Sequence, residues 1–224
     1  QEHITLPLSI DTPDPELAAA GLYAYNPERA GNRKPILNSI SGARLEMFDL
    51  FARQPFMPIL LVTEGLDDSG EMVMNKSAAQ NHATALEMVQ IARERMQGAP
   101  VYEMILDPGI APIASDMNGD LRRLVEAMTL IHAEEELAGV NMSLGLSNFT
   151  QMLPSKKADG SPVKGPLESA FLTIAMPLGL NMVIGSVNRK YALLEEDHPA
   201  MQCVREALTL EGFDVIMRVM AYYS

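Results

Sequence analysis

An α/β fold built on a parallel sheet is the class this sequence predicts. Short apolar runs alternate with longer helical patterns from one end to the other, the signature of βα units. Several runs also stop on a polar residue, as in "LSID" at Leu8 to Asp11, "ILNS" at Ile36 to Ser39, "MILDPG" at Met104 to Gly109 and "MSLGLSN" at Met142 to Asn148. With 224 residues the chain can bury one full core, so a single domain over 1–224 fits better than two small ones.

In chain order, the first strand is expected at Leu6 to Asp11, with Thr12 as cap and Pro13 at the first helical position. Strands follow at Pro35 to Ser41 and Pro58 to Glu64. Ala85, Val89, Ala92 and Met96 then recur at helical spacing, an apolar stripe that can lie on a sheet. The strand Glu103 to Gly109 precedes a second stripe of Leu121, Leu124, Val125, Met128 and Ile131, and "AEEEL" beyond it reads as a solvated helix face. After the strand Asn141 to Asn148, Gly165 and Pro166 open a helix carrying Leu167, Ala170, Phe171, Ile174 and Leu178. The last strand is Met182 to Val187, and helical segments from about residue 199, around Ala200 to Leu210 and Phe213 to Tyr222, close the chain.

Composition narrows the function. Seventeen basic against twenty-nine acidic residues give a net charge of −12, which removes the attraction that supplies most nucleic-acid affinity. No apolar run reaches the roughly 18 residues that span a bilayer, and the opening "QEHITLPLS" lacks signal-peptide order. The expected address is the cytoplasm, with no membrane partner. One cysteine, Cys203, excludes an internal disulfide and offers no zinc spacing; it and His198 read as structural, and no metal is expected. "GLDDSGE" lacks EF-hand spacing, "GSVNRK" lacks that of a Walker loop, and the sixteen methionines read as packing.

Asp11, Asn38, Asp107 and Asn148 would stand at carboxyl ends of strands, which face one mouth in a barrel of parallel strands. Carboxylates accept from an edge carrying two N–H groups and carboxamides both donate and accept, so the set suits a flat heterocycle with mixed hydrogen bonding. Singly, each could equally cap the next helix, although Pro108 holds Asp107 extended. The irregular stretch Gln151 to Gly165 follows directly, and its Lys156 and Lys157 are expected to serve an anionic tail or a partner.

Four segments, "PLSIDTPDPELAAAGL", "PILNSISG", "ILDPGIAP" and "SLGLSNFTQMLP", resemble the pterin-binding barrel family in content and order, over about Leu6 to Leu193. That family contains dihydropteroate synthases and methyltetrahydrofolate:corrinoid methyltransferases. The resemblance implies a TIM-type (β/α) barrel with the pterin at the carboxyl ends of its strands, and the first two of the usual eight strands are absent from this sequence. An open six-stranded sheet would leave two edges for something to cover. By resemblance Asp107, Asn38 and Asp11 contact the pterin ring, with Ser147, Gln151 and Arg189 also substrate-binding. "GLSN" resembles the methyltransferase branch, which makes Asn148 the catalytic residue beside N5 of methyltetrahydrofolate, the methyl donor. The acceptor is then a corrinoid on a partner protein, since "DHPAM" lacks the glycine of a DxHxxG motif; a homodimer is compatible with this reading. "GLSNFTQM" lacks the lysine a synthase carries there, yet Arg189 and Lys190 replace an acidic DPxD segment of methyltransferases. Condensation of a pterin with an arylamine therefore stays open, as does a pterin-binding module without turnover.

Overall fold

Six short parallel strands alternating with helices, the α/β arrangement of part of a TIM-type fold, are seen in a computed structural model that describes residues 1–67 and 69–224. All six expected strands are present, each shorter than its apolar run. Contacts divide the chain into two compact units, residues 1–107 with 133–142, and residues 108–132 with 143–224.

The first unit contains β1 (Ser9–Asp11), α1 (Pro15–Tyr23), β2 (Ile36–Ile40), β3 (Met57–Leu61), the hairpin β4 (Glu64–Leu66) and β5 (Met72–Met74), α2 (Ala78–Arg95), β6 (Ile105–Asp107) and the first half of β7 (Asn141–Leu144). Its strands pair in parallel in the order β1, β2, β3, β6, β7. β1 begins three residues later than its apolar run, because Pro7 has no N–H for a ladder. The cap of α1 is Asp14, not Thr12: its Oδ1 accepts from the amides of Glu16 at 2.8 Å and Leu17 at 3.1 Å, and Pro15 takes the first helical position. Thr12 instead accepts from the Asp14 amide at 3.1 Å, turning the chain into that cap.

Glu64 does not extend β3; it starts the antiparallel hairpin, which sequence periodicity did not reveal. Buried Asn75 fastens the hairpin by donating to the Val62 carbonyl and to Thr84 Oγ1, each at 3.0 Å. Gly65 fits there because a Cβ would lie 2.9 Å from that Thr84 oxygen. In the acidic turn between the two strands, Asp67 accepts from Ser69 and Glu71, and these bonds hold its carboxyl below the usual range; Asp68 lies outside the described residues.

A capping box of Ser77 and Gln80 starts α2, which buries the predicted stripe through Ala85, Val89 and Ala92, with Met96 at its end. "AEEEL" is no α-helical face: Glu135–Leu137 is a 3-10 turn that buries Leu137, while Glu134 Oε2 lies 3.0 Å from His82 Nε2.

The second unit holds α3 (Asp120–Ala133, except its last residue), the end of β7 paired in parallel with β8 (Met182–Val183), α4 (Lys164–Ala175), α5 (Pro199–Ala207) and α6 (Phe213–Tyr223). Buried Asp116 accepts from the amides of Asp120 and Leu121 at the start of α3, whose face Leu121, Leu124, Met128 and Ile131 is buried as expected, while Val125 of the predicted stripe is half-buried and Ala127 is buried. Phe149 and Phe171 stack at 5.0 Å between centroids in the core. Past α5, Arg122 donates to the carbonyls of Leu208 at 3.0 Å and Leu210 at 2.7 Å, so one guanidinium satisfies chain ends the helix leaves open. His198 is structural, its Nδ1 accepting from the Ala200 amide at 3.1 Å. The methionines divide: Met47, Met104 and Met201 are fully buried, whereas Met152, Met176 and Met217 are exposed. Among the described residues no helix is long and apolar enough to cross a membrane.

Cys203 is fully buried, and burial pushes its thiol up to about 11. Above the ordinary thiol pKa the unfolded chain releases this proton and the folded chain does not. Stability present below that value is therefore lost as pH rises toward 11, by about 2 to 3 kcal/mol. Urea melts at stepped alkaline pH check this. Cys203→Ala should flatten the lower part of the fall and keep most of the higher part, which comes from Tyr222, pushed up to about 12 chiefly by burial.

Candidate functional site

In the first unit, two of the expected residues, Asp11 and Asp107, end parallel strands, whereas Asn38 lies inside β2, two residues before its end, because the apolar run continues through Ile40. Asp11 closes β1 and is register partner of Asn38 on β2, and the Thr12 amide donates to the Asn38 carbonyl at 2.9 Å. Asn38 aligns with Ile59 of β3, and Asp107, closing β6, aligns with Leu61 two residues on. Residues two apart on a strand share a face, so the register brings all three side chains to one face near the carboxyl edge. Their exposure grades from buried Asp107 through half-buried Asn38 to exposed Asp11. The "DPG" that follows explains itself locally: Gly109 has φ +75°, a left-handed turn that favours glycine directly after the strand. Two carboxylates and a carboxamide so placed can accept from neighbouring N–H groups of a planar ring and present one donor in return.

Sequence reasoning passed over the next turn. Ser41, 1% exposed, carries a hydroxyl with no hydrogen-bond partner among the described residues, and the Arg44 Nε is likewise buried without one among them. Nothing in "SISGAR" distinguishes these from ordinary turn residues.

In the second unit the strand before Asn148 ends at Leu144, four residues earlier than its apolar run predicts. The run continues as a 3-10 turn, Leu146–Thr150, in which Leu146, Phe149 and Thr150 are buried while Asn148 is exposed. A short helical turn explains why apolar periodicity resembled a longer strand. The Asn148 amide donates to the Gly145 carbonyl at 2.8 Å, and its carboxamide makes no hydrogen bond to the described residues. Gly145 leaves room for that side chain, since a Cβ there would sit 2.8 Å from Asn148 Nδ2. Asn148 thus caps nothing, and its carboxamide is available to a ligand. Half-buried Ser147 precedes it, and exposed Gln151 follows, with its carbonyl accepting from Lys164 Nζ at 3.3 Å.

Arg189 is already engaged. Its Nε lies 2.8 Å from Oε2 of Glu168, a completely buried carboxylate on α4, at an angle short of a hydrogen bond. Thr150 donates its hydroxyl to the other Glu168 oxygen. Tyr191 stands beside the same carboxylate; burial chiefly, with the Glu168 charge adding, raises its phenol pKa, while the Ser186 amide donates to its oxygen at 3.3 Å. A cavity of about 310 Å³ opens next to this group, lined by Asn188, Arg189, Lys190 and His198 among others. Glu168 was legible only as one acidic residue in the apolar run "PLESAFL".

The stretch after Asn148 is more ordered than its composition suggests. Lys156 and Pro162 bridge, Gly160 turns back onto Lys157, and bonds from Ser161 hold the Asp159 carboxyl below its usual range. α4 begins at Lys164, one residue before the expected Gly165. Lys157 lies over the Tyr222 ring at 3.6 Å from its centroid, which commits it to α6, whereas Lys156 is exposed.

No curated protein matches the chain. Residues 1–186 match the family described as pterin binding enzyme. The match takes in Asp11, Asn38, Asp107 and the Asn148 turn, and stops three residues before Arg189. The family covers both methyltetrahydrofolate methyltransferases and dihydropteroate synthases. This chain belongs to the pterin binding enzyme family.

Proposed function

We propose that the protein binds a reduced folate, its pterin ring read by Asp11, Asn38 and Asp107, and promotes transfer of the N5-methyl group to a corrinoid carried by a partner protein. The observation that carries the methyltransferase branch is the Asn148 carboxamide, exposed and without a hydrogen bond to the described residues. Arg189 points the same way: its pairing with buried Glu168 leaves it poorly suited to receive a pyrophosphate leaving group.

The chemistry needs such a group. A methyl on a neutral tertiary amine transfers poorly, and positive character at N5 makes the folate a better leaving group. Asn148 Oδ1 accepts the hydrogen bond of the proton arriving at N5. The carbon–N5 bond then breaks, the bonding pair stays on nitrogen, and the proton remains there. The corrinoid supplies the nucleophile for the methyl group, and it comes with a partner on this reading; His198, the histidine of "DHPAM", uses its Nδ1 as a helix cap.

Single-turnover spectroscopy with methyltetrahydrofolate and a free reduced corrinoid tests the proposal, alongside labelled arylamine with a dihydropterin pyrophosphate. Methyl transfer without arylamine incorporation is expected. Incorporation of the arylamine would make the chain a synthase, and folate binding with neither reaction would make it a binding module; both outcomes reject the proposal.

A further inference from the structure

We propose that Glu168 is a positioning residue, a buried carboxylate that locks the Asn148 turn to the segment following β8 and thereby sets the orientation of the Asn148 carboxamide. The inference rests on the reading of Asn148 as the residue beside N5. Glu168 is 0% exposed and lies in the middle of the apolar face of α4, between Leu167 and Phe171. A carboxylate in that environment persists only where partners satisfy it. Here they come from two separate segments. Thr150, itself fully buried, is the last residue of the 3-10 turn that contains Asn148, and its hydroxyl donates to one carboxylate oxygen. Arg189 and Tyr191, from the segment after β8, meet the same carboxylate.

The rest of that segment is held by the same helix. Ser169 Oγ accepts from the Ala192 amide at 3.2 Å and Thr173 Oγ1 from the Leu194 amide at 3.0 Å. α4 therefore holds this segment at Arg189, Tyr191, Ala192 and Leu194, and through Glu168 the same helix grips the Asn148 turn. The Asn148 carboxamide makes no hydrogen bond of its own to the described residues, so its orientation depends on the turn that carries it. Short hydrogen-bonded turns hold a side chain in productive geometry only when the residues beneath them are fixed.

A double-mutant cycle with hydrogen exchange tests this on the full chain. Glu168→Gln keeps volume and one acceptor while removing the charge. It should lower methyl transfer about tenfold with little change in KM, yet less than about twofold in an Asn148→Ala background, because a residue acting through Asn148 has nothing left to act on. Equal losses in both backgrounds would reduce Glu168 to general structure and overturn the proposal. Thr150→Val and Thr150→Ser serve if Glu168→Gln folds poorly: the valine should repeat the loss and the serine should restore it, and a normal rate in the valine variant overturns the idea. Hydrogen exchange is read in the same samples. Amides of 146–151 should exchange at least about tenfold faster in Glu168→Gln, and unchanged protection there also overturns the clamp. This arm separates the two readings: if the wild-type chain transfers no methyl group, the function falls, while exchange still decides whether Glu168 holds the turn.

Discussion

Asp107→Asn is expected to weaken tetrahydrofolate binding roughly 30- to 1000-fold, the equivalent of about 2 to 4 kcal/mol. Asp107 is buried at the end of β6, so water cannot compensate for a mismatched group there as it could at exposed Asp11. The substitution turns an acceptor-only group into one that presents an N–H to the ring's own N–H. It removes a charge-assisted pair and strands a donor. Asn38→Ala, at a half-buried carboxamide on the neighbouring part of the sheet, should cost less. Titration calorimetry on the two variants checks the order, and an unchanged affinity in Asp107→Asn would remove Asp107 from the ring contacts.

Asn148→Ala is expected to slow methyl transfer by about ten- to a thousandfold while leaving folate affinity within a few fold, as a bond made mainly in the transition state requires. The competing role, capping the turn, would appear as lost stability of about 1 kcal/mol. An exposed side chain with no hydrogen bond to the described residues has little stability to lose, so melting should move by no more than an exposed substitution does, within about 0.5 kcal/mol. Single-turnover transfer and thermal melting on one preparation separate the roles. A lower melting point with normal transfer would make Asn148 a structural residue.

The strands and helices were legible because burial imposes simple periods, and the helical faces of α2 and α3 emerge on the residues their spacing selects. Their ends were not, because ends are decided by single bonds. Asp14 outcompetes Thr12 as a cap once a second proline follows it, and Leu146–Thr150 is apolar enough to resemble the strand it succeeds. The hairpin β4–β5 depends on Asn75 reaching Val62 and Thr84, contacts that no period encodes. The polar strand ends Asp11 and Asp107 could be read directly, since each terminates its own apolar run, whereas Asn38 sits inside β2, which runs on to Ile40. Glu168 could not, because its meaning lies in Thr150 and Arg189, 18 residues before it and 21 after. Lys157 is the converse case: its charge suggested a ligand, and its neighbour is an aromatic ring.

The helix α4 holds Ala192 and Leu194 by their backbone amides alone, through Ser169 and Thr173. Backbone tethers are indifferent to which side chains the tethered residues carry. The path of residues 186–194 is thus written largely in α4, and the segment itself is free to accept new sequence at exposed Val187, Asn188 and Lys190, provided Arg189 and Tyr191 are kept. That makes the segment an address for engineering: libraries diversified at those three places can vary its exposed surface while the course near Arg189, Ala192 and Leu194 stays as α4 prescribes.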